Sequence, residues 1–268
     1  MKNSAGNSPH YDDTLNNLNI KYTMLLNNLL GKLSAELKLH KTFIALAFLS
    51  ILLSYSVYLF LREETVILLG REDHLFENLT CLSFLAASVL FAINFYHSRN
   101  FFFLLLSIVF FIAMGEEISW GQRILKHDTI EFFQKHNVQS EHNLHNLELI
   151  NPEKIDRQKK TGISKYFTID FFYKLFWLSY CFILPLAYGL FDRHAPFKLP
   201  LPPISIGLLF IISWLIYKIT SSYILPQDRS ILYYHAIYEI YEFCSAFLFM
   251  ILSLAFLKQV KKLKAISE

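Results

Sequence analysis

The sequence is poor in charged residues and in cysteine. Only 18% of its 268 residues are Asp, Glu, Lys or Arg, whereas 54% are hydrophobic and 16% are aromatic. Soluble domains carry a charged share of about 25%, so this composition argues against a soluble protein. The three cysteines, Cys81, Cys181 and Cys244, all lie in apolar runs. There a cysteine serves more often as a small packing residue than as a disulfide partner or a metal ligand.

The short motifs of several large enzyme classes are also missing. The sequence has no HExxH, no Walker loop, no dinucleotide-binding fingerprint and no GxSxG turn. These patterns mark zinc proteases, NTPases, dehydrogenases and α/β-hydrolases. Because the basic residues follow the apolar runs and form no separate patch, nothing in the sequence indicates nucleic-acid binding.

Long apolar runs are what the sequence has instead. A helix needs about 20 apolar residues to cross the hydrocarbon core of a bilayer, and six segments of the chain meet this requirement. We therefore predict an all-α, polytopic membrane protein with about six transmembrane helices. The predicted spans are residues 42–61, 74–96, 101–120, 166–190, 202–224 and 233–257.

Two tails and one long loop surround the predicted membrane domain, residues 42–257. The tail 1–41 carries an apolar stripe at helical spacing, formed by Leu15, Leu18, Tyr22, Leu25, Leu29 and Leu33. Such a stripe predicts an amphipathic helix that lies on the membrane surface and contacts lipids. A loosely ordered, Asn-rich tail is the alternative. The long loop is residues 121–165, and residues 258–268 form a basic tail.

Lysines next to the first and last spans predict the orientation of the chain. They are Lys38, Lys41, Lys258, Lys261, Lys262 and Lys264. Basic residues close to span ends are retained preferentially in the cytoplasm. We therefore expect both termini to be cytoplasmic and the loop 121–165 to lie on the opposite, outer side.

In this orientation, ionisable residues of the spans gather near their outer ends. They are Glu77, Glu116, Glu117, Asp170, Lys174, Lys218, His235, Glu239 and Glu242. Ionisable groups inside spans are rare and usually face one another or a water-filled cavity. The pattern predicts a polar cavity that opens to the outside. The alternative is a purely structural network at the membrane interface.

Three of these residues suit metal binding. His235, Glu239 and Glu242 are spaced i, i+4 and i+7, so they share one face of a helix. With His145 from the loop they are the candidate metal ligands, and such a mixed His and carboxylate set is compatible with zinc, iron or manganese. A bound metal would acidify a water molecule for attack on a substrate.

The acids Glu116 and Glu117 stand in the segment GEEISWGQR, residues 115–123. A carboxylate that does not bind the metal would act as general base, so both are candidate catalytic residues. The loop segment 137–146, NVQSEHNLHN, is predicted to cover them as a lid and to supply hydrogen bonds to the carboxylates or to a substrate. The candidate substrate or lid residues are Gln122, Arg123, Glu141, Asn143 and Asn146.

Three classes of function are compatible with these patterns. The first is metal-dependent hydrolysis of a lipid-like substrate. The second is transport of a small polar or cationic solute, which requires a polar path through the inner halves of the spans. The third is a non-enzymatic role as a membrane assembly subunit.

The two segments EEISWGQR and NVQSEHNLHN resemble a pattern shared by a group of uncharacterised bacterial multi-pass membrane proteins. The resemblance covers about 30 residues and the layout of the spans. It implies a location in the bacterial cytoplasmic (inner) membrane and selects the same candidate residues, but it names no reaction. The alkaline ceramidases are a looser analogy, and this chain lacks their HxxxH spacing.

Overall fold

The chain folds into a bundle of helices. The computed structural model describes residues 9–71, 73–156, 158–191, 199–225 and 228–267, with side chains from Ile20 onward except at positions 123, 191 and 267. These ranges contain two isolated β-bridges and no strand, so the predicted all-α class is confirmed. The helices are α1 (Pro9–Phe60), α2 (Glu63–Gly70), α3 (Leu75–Ser98), α4 (Phe101–Glu117), α5 (Gln122–Leu125), α6 (Glu131–His136), α7 (Ile169–Trp177), α8 (Leu184–Phe191), α9 (Ile204–Ile219) and α10 (Ile231–Ser267).

The described residues contain five helical segments that are long and apolar enough to cross a membrane. They are Ile20–Phe60, Glu63–Ser98, Ile169–Leu190, Ile204–Ile224 and Ile231–Ile266. Helix α4 has 17 residues and therefore reaches the lower end of the length that a span needs, about 17–25 residues. The predicted polytopic architecture is confirmed, and α4 corresponds to the predicted third span.

Helix α10 forms the centre of the bundle. The apolar window of α10 is 72% buried, against at most 44% in the other candidate spans. It packs along α3 and also contacts α1, α2 and α9. The small residues Ala236, Ala246 and Ala255 are all buried, so they allow neighbouring helices to approach closely.

Helix α1 joins the predicted tail and the first predicted span without interruption. The only non-helical residue inside it is His40, with φ −110° and ψ 15°, and Lys258 of α10 donates a hydrogen bond to the adjacent carbonyl of Leu39. About one helical turn before the kink, Ser205 N donates to the Glu36 carboxylate at 2.9 Å. The last part of the predicted tail therefore contacts the bundle, where Lys32 also donates to the carbonyl of Gly189 at 3.3 Å. Tyr22 is 66% exposed, and the surface helix stays a prediction. Leu15 and Leu18 lie outside the described side chains.

The short helix α2 was not predicted. It places Gly70 against α10, where a Cβ atom would lie 2.6 Å from the carbonyl oxygen of Ala236. An ion pair between Glu63 and Arg229, 2.5 Å apart, connects the beginning of α2 to the residues before α10. Eight residues are too few for hydrophobic periodicity to separate this helix from the following span.

A π-helical turn, Leu178–Ile183, separates α7 from α8. Pro185 lacks an N–H group, so the carbonyl of Cys181 cannot form the regular helical hydrogen bond. The α9 backbone approaches this carbonyl at Gly207, where a Cβ atom would overlap the Cys181 oxygen. The close contact between these two spans therefore depends on glycine.

We expect Gly207→Ala to destabilise the bundle by about 1–3 kcal/mol, because the added methyl group has no room. Gly31→Ala in α1 is the control, since no atom lies within 4 Å of the place that its added Cβ atom would take and alanine favours a helix by up to about 1 kcal/mol over glycine. Thermal unfolding of the detergent-purified variants measures the difference. Equal melting temperatures for the two variants would contradict this account.

Candidate functional site

The chain reverses its direction directly after α4. Helix α4 ends at Glu117, three residues before the predicted end of the span, because Ser119 and Trp120 adopt positive φ angles of 45° and 52°. Trp120 folds back and donates a hydrogen bond from Nε1 to Glu116 Oε1 at 2.7 Å. Its indole packs on Gly115, where a Cβ atom would lie 2.8 Å from the ring. The segment GEEISW is therefore a helix-terminating turn.

The carboxylate of Glu116 anchors the long loop to this turn. Its Oε2 atom accepts hydrogen bonds from the backbone N–H groups of Leu144 at 2.6 Å and His145 at 2.9 Å. The Nδ1 atom of His145 lies 3.4 Å from the same oxygen. Since Trp120 occupies Oε1, both oxygens of Glu116 are engaged by donors that stabilise its negative charge.

A second set of contacts lies directly beside Glu116. Ser119 donates to Glu141 Oε2 at 2.7 Å, and Asn143 Nδ2 donates to both Glu141 Oε2 and Ser119 Oγ at 2.8 and 3.0 Å. The amide of Asn137 then binds the backbone and side-chain oxygens of Asn143, both at 2.9 Å. Ser119 and Asn143 are at most 1% exposed, so these two side chains are closed to solvent, while Glu141 is half-buried.

Further polar contacts hold the loop segment 137–146 as a turn rather than a helix. The Asn137 side chain accepts from the N–H of Gln139 at 2.9 Å, as in an Asx turn. Gln122 accepts from the N–H of His142 at 2.7 Å, and the Asn146 amide donates to Gln139. The predicted residue Arg123 has a side chain outside the described part of the chain.

The predicted contact of this segment with the end of the third span is confirmed for Asn143 and His145. Of these two residues, Asn143 is 1% exposed, whereas the side chain of His145 is 35% exposed. The hydrogen bonds of Glu116 favour a structural role over the predicted catalytic one, because both of its oxygens already have partners. The segment is a fixed clamp on α4 in this structure.

The four predicted metal ligands do not form a metal site. Within the ranges that the structure describes, no three His, Cys, Asp or Glu side chains are placed to share a metal ion. His145 lies at Glu116, and His235 is exposed on α10. Helical spacing puts His235 and Glu242 on a common face but about 10 Å apart along the axis, and His235 is exposed near the beginning of α10.

Glu242 instead belongs to a polar cluster between α7, α9 and α10. Its carboxylate interacts electrostatically with Asp170 and Lys174 of α7 and with Glu77 of α3. Lys174 Nζ and Asp170 Oδ2 are 3.9 Å apart. We define the polar cluster as Asp170, Tyr173, Lys174, Tyr217, Lys218, Tyr238, Tyr241 and Glu242, with Glu77 and Glu117 at its edge.

The second acid of the motif, Glu117, is directed toward this cluster. It interacts electrostatically with Tyr173 of α7 and with Cys81 of α3. Glu116 and Glu117 are neighbours in the sequence and are therefore about 100° apart around the helix axis, given 3.6 residues per turn. One carboxylate consequently holds the loop while the other faces the bundle.

Tyrosines line the polar cluster. The ring of Tyr241 stacks on that of Tyr217, with ring centroids 4.7 Å apart. The ring centroid of Tyr238 lies 6.1 Å from that of Tyr217 and 6.0 Å from that of Tyr241. Within the spans, only Asp, Glu, His and Lys residues were predicted to line the cavity, so these rings were missed. A usable signal was present, because Tyr238, Tyr241, Glu242 and Ser245 recur at intervals of three or four and so follow one face of α10.

A layer of aromatic rings closes the cluster on the side away from the loop. Phe249 of α10 lies 4.7 Å from Phe110, 4.8 Å from Phe210 and 5.7 Å from Phe176, measured between ring centroids. Trp177 stacks on Phe210 in the same layer. A solute could not pass this layer in this conformation.

Comparison with known proteins gives no match to a family model, to a curated protein or to a solved structure.

We expect Glu116→Gln to loosen the loop, because the amide replaces an acceptor oxygen by a donor that faces N–H groups. Hydrogen bonds to a charged group are worth about 1.5–3 kcal/mol, so trypsin should cut the loop roughly tenfold faster or more. The matched control is Glu131→Gln, whose carboxylate is 77% exposed and pairs only with Lys135 among the described residues; exposed pairs contribute little. Equal cleavage rates for both variants would rule out the clamp.

Proposed function

We propose that this protein hydrolyses a lipid-like substrate at the polar cluster. The observation that supports the proposal is the gathering of ionisable side chains from several spans, with Glu242 of α10 beside Asp170 and Lys174 of α7. Ionisable groups at membrane depth are costly and mark functional sites by default. The apolar chain of a lipid-like substrate reaches such a site from the bilayer, and the polar cluster binds the polar end of the substrate.

The aromatic layer around Phe249 favours hydrolysis over transport. A transporter needs a polar path on both sides of its binding site. Here Phe110, Phe210 and Phe176 surround Phe249 directly below the cluster. A hydrolysis reaction needs no such path, because its substrate and products can use the same entrance.

Glu242 is the proposed general base. Asp170 is already paired with Lys174, which leaves Glu242 as the better proton acceptor. Glu242 takes a proton from water while the water oxygen bonds to the substrate carbonyl carbon. The bond from that carbon to the leaving oxygen or nitrogen then breaks, and the proton passes to the leaving group. The products are a carboxylic acid and an alcohol or amine.

The proposal assigns this chemistry to side-chain carboxylates. The predicted ligands His145 and His235 lie away from Glu242, one at the loop clamp and one exposed on α10, so the metal-dependent form of the hypothesis has less geometric support. We further propose that both termini are cytoplasmic in a bacterial inner membrane, which the lysines at the first and last spans favour. The cluster then faces the outer leaflet.

We expect the detergent-purified protein to cleave a long-chain fluorogenic ester or the corresponding amide, and Glu242→Gln to lower kcat by about 100-fold or more, because a positioned base contributes at least that much. Folding of the variant is checked by its melting temperature. A wild-type protein inactive on both substrates, or a fully active Glu242→Gln variant, would contradict the proposal.

A separate experiment tests whether ester cleavage requires a metal ion. We expect prolonged dialysis against a chelator, and separately His235→Ala, to leave the rate of ester cleavage unchanged within about twofold, because general-base catalysis by a carboxylate requires no metal. Metal analysis of the purified protein accompanies the assay. A rate that collapses in the chelator and returns with added zinc or manganese would restore the metal-dependent hypothesis.

A further inference from the structure

Three buried hydrogen-bond donors of α7 and α10 lack a partner, and two of them, Tyr173 and Tyr241, interact electrostatically with Glu242. Among the described residues, the hydroxyl groups of Tyr173 and Tyr241 and the indole Nε1 of Trp177 make no hydrogen bond. Tyr241 is 1% exposed and Trp177 is 3% exposed, so solvent does not reach them. A buried donor without an acceptor costs free energy, and three in one place require an explanation.

The three donors belong to facing surfaces of two helices. Tyr173 and Trp177 are four residues apart on α7, and Tyr241 lies on α10, one helical turn before Ser245. Ser245 lies near the hydroxyls of both tyrosines, and Trp177 lies near that of Tyr241, but the distances and angles of these pairs do not meet the geometry of a hydrogen bond. The donors are therefore neighbours of one another.

Side chains, rather than close backbone packing, fill the space between these helices. The backbones of α7 and α10 stay further apart than those of α3 and α10. Rings of Tyr173 and Phe176 bridge the distance to Phe249, with centroids 6.2 and 5.7 Å apart. Such side chains can move apart to admit part of a ligand more easily than two backbones in contact can.

We infer that Tyr173, Trp177 and Tyr241 bind the carbonyl oxygen of a lipid-like ester or amide. All three groups donate and need an acceptor. The surroundings favour a neutral oxygen over a phosphate, because four carboxylates outnumber two lysines around the cluster. The carboxylates are Asp170, Glu242, Glu77 and Glu117, and the lysines are Lys174 and Lys218.

This inference rests on the proposed function and adds to it. Donors aimed at a carbonyl oxygen stabilise the negative charge that develops there when water attacks the carbonyl carbon. Such a hydrolysis needs a general base and donors to the carbonyl oxygen. We assign the first role to Glu242 and the second to the three donors. The proposed substrate is consequently a carbonyl derivative, and not a phosphate ester.

Binding of non-hydrolysable probes tests the inference separately from catalysis. The probes are a monoglyceride analogue with a ketone in place of the ester, the matching ether without a carbonyl oxygen, and an alkyl phosphate of equal chain length. We expect the ketone to bind at least about tenfold more tightly than the ether, which corresponds to one or two hydrogen bonds. The phosphate should bind more weakly than the ketone.

Tyrosine-to-phenylalanine variants identify the donors. Tyr173→Phe and Tyr241→Phe should each weaken ketone binding about five- to tenfold, leave ether binding unchanged and not lower the melting temperature of the empty protein. Tyr55→Phe is the control, because its hydroxyl is 2.8 Å from Ser213 Oγ. This variant should lower the melting temperature and keep the ratio of ketone to ether affinity.

The outcomes separate the two proposals. Ketone preference that depends on the tyrosines, without any hydrolysis of esters or amides, supports the carbonyl site and refutes the hydrolase. Ester hydrolysis without ketone preference refutes the carbonyl site alone. Equal binding of ketone and ether, no binding of either, or tighter binding of the phosphate also overturns the inference. The inference is also overturned if Tyr241→Phe loses as much stability as Tyr55→Phe. The hydroxyl of Tyr241 would then already be hydrogen-bonded within the protein.

Discussion

An ionisable side chain in the hydrocarbon region of a bilayer must find its partner inside the protein. Exposure of one such charge to lipid costs at least about 2.5–3.5 kcal/mol. In this chain Glu242, Asp170 and Lys174 come from two helices and meet in one cluster. The positions of the other helices allow these side chains to contact one another. Helix α10 occupies the centre, and an aromatic layer lies below the cluster.

Neighbouring acids divide two tasks at the end of α4. Glu116 receives three N–H groups and fixes the loop to the helix. Glu117 faces the bundle and contributes negative charge at the edge of the cluster. The positive φ angles of Ser119 and Trp120 direct the chain back over the helix end, and the turn keeps its strained geometry because Trp120 and Ser119 both hydrogen-bond to carboxylates. Structural and functional residues are thus adjacent in sequence but separate in space.

The sequence predicted the spans well because long apolar runs leave few alternatives in a bilayer. It also predicted the gathering of Glu117, Asp170 and Glu242, since burial of charge is informative by itself. The end of α4 was placed three residues too late, because positive φ angles at Ser119 and Trp120 depend on contacts with the distant loop. Glu116 was given a catalytic role on charge alone, although backbone donors from Leu144 and His145 occupy it. His235 and Glu242 share a direction around the axis of α10 but lie about 10 Å apart along it, so a shared helix face did not bring them together.

The central position of α10 has a consequence for biosynthesis. This helix follows the other spans in the sequence, so the ribosome delivers them to the membrane before the helix that they pack against. Until α10 arrives, Asp170 and Lys174 can pair with each other, but Glu242 is not yet beside them. The apolar faces that later contact Phe249 are meanwhile covered by lipid. Assembly of the bundle is therefore a late event, in which lipid leaves the centre as α10 enters it.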